Sequence, residues 1–193
     1  MERPRKSMIR VEEARELILK EIRPTGAERI GLTESLGRVL CEEIVSGVDH
    51  PPWDTSAMDG YAVRLDDTRD ASKAKPARLR VVEEIPAGKI PEREILPGEA
   101  SRIMTGAPMP SGADAVVKIE ETRRGEGGVE LFAPGDPDFV RKKGEAIQNG
   151  MPLLSAGMAL RPAEIALLAS VGRFVLPVYR RPLVSILSTG DEL

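Results

Sequence analysis

Residues 51–63 read "PPWDTSAMDGYAV". Two prolines lead into the only tryptophan of the chain, and Asp54, Thr55, Ser56, Asp59 and Gly60 follow with little bulk between them. Such a stretch is too broken for a helix and too poor in large side chains for an ordinary core strand. It reads as the rigid entrance to a different kind of structure, and the chain does change texture across it.

On its N-terminal side, Val11, Ala14, Leu17, Ile18 and Ile22 recur at helical spacing within "RVEEARELILKEIRP", with acids early, bases late and Pro24 as the stop. "ERIGLTESLGRVL" predicts a short extended piece and then a short helical segment with Thr33 as its N-cap. "CEEIVSGVD" continues as a strand-like run up to the prolines.

On its C-terminal side, from about Val63 to Pro134, short β-branched runs are cut by Gly and Pro, the pattern of a β-rich module. "ARLRVVEEI" and "ADAVVKIEETRRGEGGVELFA" carry strands, and "RRGEGG" reads as a hairpin connection whose length fits no tight two-residue turn. Between them, "GEASRIMTGAPMPSGADAVV" predicts a short helix running into a loop of small residues. Helical patterning returns in "RPAEIALLASVG", with Pro162 at the first turn and Gly172 as the stop. Leu183 to Leu187 then form an apolar run of the kind found in a strand buried on both faces, breaking into Ser-Thr-Gly-Asp-Glu. A lone parallel strand is not a stable unit, so the sequence reads as a fragment that stops one strand into a new domain.

The expected fold class is therefore α+β and multidomain. Residues 1–50 and 138–180 are assigned to a discontinuous mixed α/β domain, 51–137 to an inserted β-rich domain, and 181–193 to the start of a further α/β domain.

Composition narrows the function. The 193 residues carry 28 Lys plus Arg against 31 Asp plus Glu, a net charge of −3, and no long block of one sign, which argues against nucleic acid as a partner. No apolar stretch approaches a membrane span or a signal peptide, so a cytoplasmic protein with no membrane partner is expected. With one Cys and one His there is neither a disulfide nor a zinc cluster, and any metal would need oxygen ligands, whose identity the residues leave unknown. Cys41 reads as a small buried hydrophobe, and His50 as structural.

Three loops could carry chemistry. Asp59-Gly60 reads either as a turn, where both residues tolerate unusual backbone angles, or as part of a site. Asp54 reads as a side-chain-to-backbone loop fixer. Thr105-Gly106-Ala107-Pro108 offers a hydroxyl and unencumbered N–H groups to an oxyanion, or is a plain loop. Asp191 and Glu192 could hold a hard cation or cap a following helix. "VRKKGE" is a solvated turn or an approach to a phosphate.

"DTSAMDGYAV", "RIMTGAPMPSGADAVV", "RKKGEA", "LASVG" and "RRPLVSILSTGDEL", in that order and spacing, resemble the MoeA-type molybdopterin molybdenumtransferases, the family that includes the E domain of gephyrin. The resemblance runs from about residue 10 to the end. It implies insertion of molybdate into adenylylated molybdopterin with Mg²⁺ and release of AMP, by a cytoplasmic homodimer working with the molybdopterin-adenylating protein of the same pathway. It identifies residues 181–193 as the first strand of the molybdopterin-binding domain. By the same resemblance Asp59, Thr105 and Glu192 fall on catalytic positions, and Ser56, Gly106 and Asp191 on substrate-binding ones. One departure stands out: Ala146 occupies the place of an aspartate in the family's basic-Gly-Glu-Asp motif. That change, together with the missing remainder of the binding domain, opens the alternative of a catalytically impaired scaffold or binding module of the same pathway.

Overall fold

The structure, a computed structural model, describes residues 9–186. In chain order the elements are α1 (Val11–Glu21), β1 (Ala27–Gly31), β2 (Ile44–Val45), β3 (Thr55–Ser56), β4 (Gly60–Val63), α2 (Leu65–Thr68), β5 (Ala77–Ile85) and β6 (Glu99–Ile103). They continue with β7 (Ala115–Lys118), β8 (Thr122–Gly125), β9 (Gly128–Leu131), β10 (Val140–Arg141), β11 (Pro152–Leu154), α3 (Pro162–Ser170) and β12 (Val175–Tyr179). The chain divides into a discontinuous unit, residues 1–44 with 154–193, and an inserted unit, residues 45–153.

These crossings lie away from the expected 50 and 138. Residues 138–153 belong to the inserted unit because their partners are there: β10 pairs with β3, and His50 bridges Ile147.

In the discontinuous unit, β1 and β12 form an antiparallel pair, with Leu40 bridging to Val178. Leu32, Leu40, Ile44, Leu154, Leu160, Leu168, Val171, Leu176 and Val178 are its buried apolar residues. α1 forms where the periodicity predicts it, yet none of its residues is buried. Thr33 is not an N-cap: it lies inside a single 3₁₀ turn, Leu32–Glu34, which starts from Gly31 without a side-chain cap. Cys41 is half-buried rather than buried. Leu183, Val184 and Ile186 are exposed and in no strand, since no partner strand lies beside them among the described residues.

α3 begins at Pro162 and ends before Gly172, whose φ of 71° only glycine adopts easily. Its first turn is held by Glu164, which accepts from the Arg161 N–H at 3.0 Å and from the Arg161 guanidinium at 2.7 Å. The guanidinium, chiefly, lowers the Glu164 carboxyl from 4.5 to about 2. A carboxyl depressed on folding stabilises the fold when ionised, so its contribution is complete above about pH 4.5 and lost as pH falls towards 2. Melting temperature should decline through that window, and Glu164→Gln should flatten the decline; an unchanged pH profile in the variant would contradict the assignment.

The inserted unit is built on a six-stranded sheet of order β7-β4-β6-β5-β9-β8. Only β5 and β6 run parallel; the other neighbours are antiparallel. The parallel pair needs a long crossover, which residues 86–98 supply. β7 and β8 stand at opposite edges, yet only residues 119–121 join them. Four Cα steps reach at most about 15 Å, whereas the edges of a flat six-stranded sheet lie about 24 Å apart. The sheet must therefore curl until its edges approach. Alternation along the strands then sorts the apolar residues: Tyr61, Val63, Ala115, Val117, Val129 and Leu131 fill one cluster, while Ala62, Val116, Ile85, Ile103 and Val140 fill the other.

Two expectations fail here. "GEASRI" is no helix; it forms β6, with Glu99, Ala100, Ser101 and Ile103 buried between β4 and β5. The "RRGEGG" connection is a two-residue turn after all, because Gly125 pairs with Gly128 and Gly127 supplies a φ of 73°. No helix among the described residues is long and apolar enough to cross a membrane.

Candidate active site

The loop between β3 and β4 and the loop after β6 meet through one carboxylate. Asp59 Oδ1 accepts from the Thr105 N–H at 2.7 Å and from Thr105 Oγ1 at 2.8 Å. Asp59 is exposed, and Oδ2 has no hydrogen bond among the described residues. The Thr105 N–H first, then its hydroxyl, and more weakly the Arg102 charge hold the Asp59 carboxyl below the usual carboxylate range. Asp59 is thus a fixed, ionised group with one oxygen free to bond water or substrate.

Gly60, next to it, is not a turn residue. It is the first residue of β4, its φ is not positive, and a Cβ there would lie 1.9 Å from the Val117 carbonyl oxygen. The glycine is needed because two backbones approach closely, and that approach seats Asp59 at the strand's end.

The Thr105 loop turns at Gly106, which has a φ of 82°. Its backbone donors are already committed. Thr105 N–H goes to Asp59, Gly106 N–H to the Ser56 carbonyl and Ala107 N–H to the Met104 carbonyl. Of the two readings of this loop, a cradle of free N–H groups for an oxyanion is therefore absent, and what Gly106 offers is open space, with nothing within 4 Å of a Cβ placed on it. Ser56 is 1% exposed, and its hydroxyl donates to the Met58 carbonyl at 2.6 Å while accepting from the Met58 N–H at 3.2 Å. In this arrangement it holds the loop in a side-chain turn.

A cavity of about 560 Å³ opens here, lined by His50, Trp53, Thr105, Gly106, Arg141 and Ala146 among others, Ser56 included. Asp54, between the lining residues Trp53 and Thr55, does fix its loop as expected. Although burial alone would push its pKa upward, the Lys143 N–H at 2.8 Å and the Lys142 ammonium at 2.9 Å keep the carboxyl below its ordinary range. Lys143 also reaches Asp49, at 3.4 Å. The lysines of "RKKGE" are thereby tied to aspartates about 90 residues earlier. Arg141, which the sequence reading did not single out, has no ion-pair partner among the described residues and is the cation left facing the cavity. Only its pairing in β10 separates it from its basic neighbours, so no local signal could have found it.

A second cavity, about 610 Å³, lies against β5, β8 and β9. Its Arg78 and Arg123 both bind Glu130, and Arg80 binds Glu99, so most of its positive charge is internally neutralised.

Asp191 and Glu192 lie outside the described residues. Among the described residues no three His, Cys, Asp or Glu side chains come together. Asp59 presents a single free oxygen, whereas magnesium demands an octahedral shell, so these residues alone do not build a magnesium site.

The profile of the MoeA N-terminal region, domains I and II, matches residues 9–172. The chain belongs to that family. A molybdopterin molybdenumtransferase from Nostoc sp. is 47% identical over 167 residues, 86% of this chain and 38% of the relative. One from Bacillus subtilis is 43% identical over 171 residues, 86% of this chain and 40% of the relative. The crystal structure of a molybdopterin biosynthesis MoeA protein from Pyrococcus horikoshii superposes with a TM-score of 0.80 at 36% identity, covering 89% of this chain and 46% of that one. The chain thus spans less than half the length of these relatives.

Proposed function

We propose that the complete protein inserts molybdate into adenylylated molybdopterin, and that the inserted unit contributes the Asp59–Thr105 pair and Arg141 to that site. The observation that carries this is the ionised Asp59, with its free oxygen, bonded to Thr105, which lines a cavity whose uncommitted cation is Arg141. In the overall step water adds to the adenylate phosphorus and the phosphoanhydride P–O bond breaks, releasing AMP. Asp59 Oδ2 accepts a hydrogen bond from that water and orients it, while its own charge is sustained by Thr105. Arg141 offsets the negative charge of the phosphate or molybdate oxygens, which Asp59 would otherwise repel. Gly106 leaves room for them.

Glu192 and Asp191 complete the proposal as the carboxylates that follow the Leu183–Leu187 run in sequence, and a cytoplasmic homodimer served by the molybdopterin-adenylating protein completes its setting. Magnesium enters only as a requirement of the complete protein, because the described residues do not supply its shell.

One observation favours a second reading, a catalytically impaired binding module: Ala146 is exposed on the cavity wall, and a methyl group neither accepts a proton nor ligates a cation. The full-length protein and its Ala146→Asp variant, assayed with adenylylated molybdopterin, magnesium and molybdate, separate the two. The exposed position accepts the larger side chain, and insertion by the parent within about tenfold of the variant is the expected result. Turnover confined to the variant would establish the impaired module.

A further inference from the structure

We propose that Trp53 is a stacking platform for a flat nitrogen heteroaromatic ring on a ligand whose oxyanion is held by Arg141. The proposal deepens the reading of this cavity as a substrate site and rests on it.

Trp53 is the only tryptophan in a chain with 3% aromatic residues, and it is 46% exposed. An indole joins a large apolar face to a polar N–H, which suits it to a partly wet binding surface. It lines the 560 Å³ cavity and also a neighbouring one of about 460 Å³ walled by Ile90, Pro91 and Met109, so its ring borders both. The backbone beneath it is firmly mounted. Gly144 N–H donates to the Pro51 carbonyl at 2.9 Å, Met109 N–H to the Asp54 carbonyl at 2.9 Å, and the Asp54 carboxylate is clamped by Lys142 and Lys143. A rigidly supported, half-exposed indole suits stacking, because little order remains to be imposed when the ring arrives.

The polar side of the same cavity fixes the ligand's other half. Arg141 is its unpaired cation, the nearby lysines are neutralised by Asp49 and Asp54, and the Glu145 carboxylate on the same wall accepts from the Lys142 N–H. The ligand is therefore bipartite, a ring joined to a phosphate-like group. A purine nucleotide and a pterin phosphate share that chemistry.

Because Trp53 is unique, its emission reports on the platform directly. The 193-residue chain is titrated with AMP, with a 6-substituted pterin monophosphate and with ring-free ribose 5-phosphate, and emission is corrected for absorption against free tryptophan amide. Saturable quenching by AMP or by the pterin phosphate, but not by ribose 5-phosphate, is expected, and the responding arm identifies the ring. Calorimetry should show the affinity for that ligand falling about tenfold in Trp53→Ala and staying within about threefold in Trp53→Phe. Equal quenching by ribose 5-phosphate, no saturable quenching by either ring, or unchanged affinity in a folded Trp53→Ala variant would overturn the proposal. If Trp53→Ala does not fold, the ligand comparison and the Phe variant still decide. The insertion assay is independent: an inactive full-length protein with ring-dependent quenching sinks the proposed function alone, and an active one without quenching sinks the platform alone.

Discussion

Gly60→Ala should lower the melting temperature of the chain by at least about 10 °C, corresponding to about 3 kcal/mol or more of lost stability. The new Cβ would sit 1.9 Å from the Val117 carbonyl oxygen and 2.9 Å from its carbon. Both are backbone atoms, so no side-chain rotation relieves the clash. β7 would have to move off β4, breaking the ladder that pairs Gly60 with Lys118 and Tyr61 with Val117 and opening the cluster around Tyr61. Native domains have only about 5–15 kcal/mol to lose. Gly47→Ala is the control, since a Cβ there meets nothing within 4 Å and its φ is not in the left-handed region. Thermal unfolding followed by circular dichroism settles it: a Gly60 variant melting within about 2 °C of the parent would mean that the two backbones are not so close.

Asp59→Asn in the full-length protein should reduce the insertion rate by a factor of about 10² or more while leaving the melting temperature within about 2 °C of the parent. The fold tolerates the change because Asp59 is exposed and an amide oxygen still accepts the two Thr105 hydrogen bonds. What is lost is the charge and the free acceptor, since the second position becomes an NH₂ donor. Thr105→Val removes only the hydroxyl bond and keeps the N–H bond, so a smaller loss, about tenfold, is expected. Full activity in Asp59→Asn would remove Asp59 from the chemistry, and an equal loss in a variant that has also lost its thermal transition would assign it to folding instead.

The elements legible in the sequence are those whose own periodicity decides them. α1, β5 and α3 lie where Val11–Ile22, "ARLRVVEEI" and "RPAEIALLASVG" place them. β6 was not legible, because Glu-Ala-Ser-Arg-Ile carries no strand alternation when both of its faces are buried. Its conformation is imposed by β4 and β5. The same holds for the site. Asp59 and Thr105 were singled out by their motifs, but their direct bond, the commitment of the Thr105 and Gly106 N–H groups and the freedom of Arg141 depend on partners 46 to 94 residues distant. Gly60 illustrates the limit most sharply: an Asp-Gly pair invites a turn, and only the neighbouring strand reveals the crowding.

The insertion of residues 45–153 also sets an order in time. A ribosome releases the chain at about 5–20 residues per second, N-terminus first. Every partner in the curled sheet has been made by Leu131, but β1 must wait for β12, about 145 residues later. For roughly 7–30 s the nascent β1 has an open edge. Its sequence, Ala-Glu-Arg-Ile-Gly, carries two adjacent opposite charges, and charged residues on an unpaired strand discourage its capture by a neighbouring nascent chain. Glu28 and Arg29 thus guard the interval of synthesis as well as the finished surface.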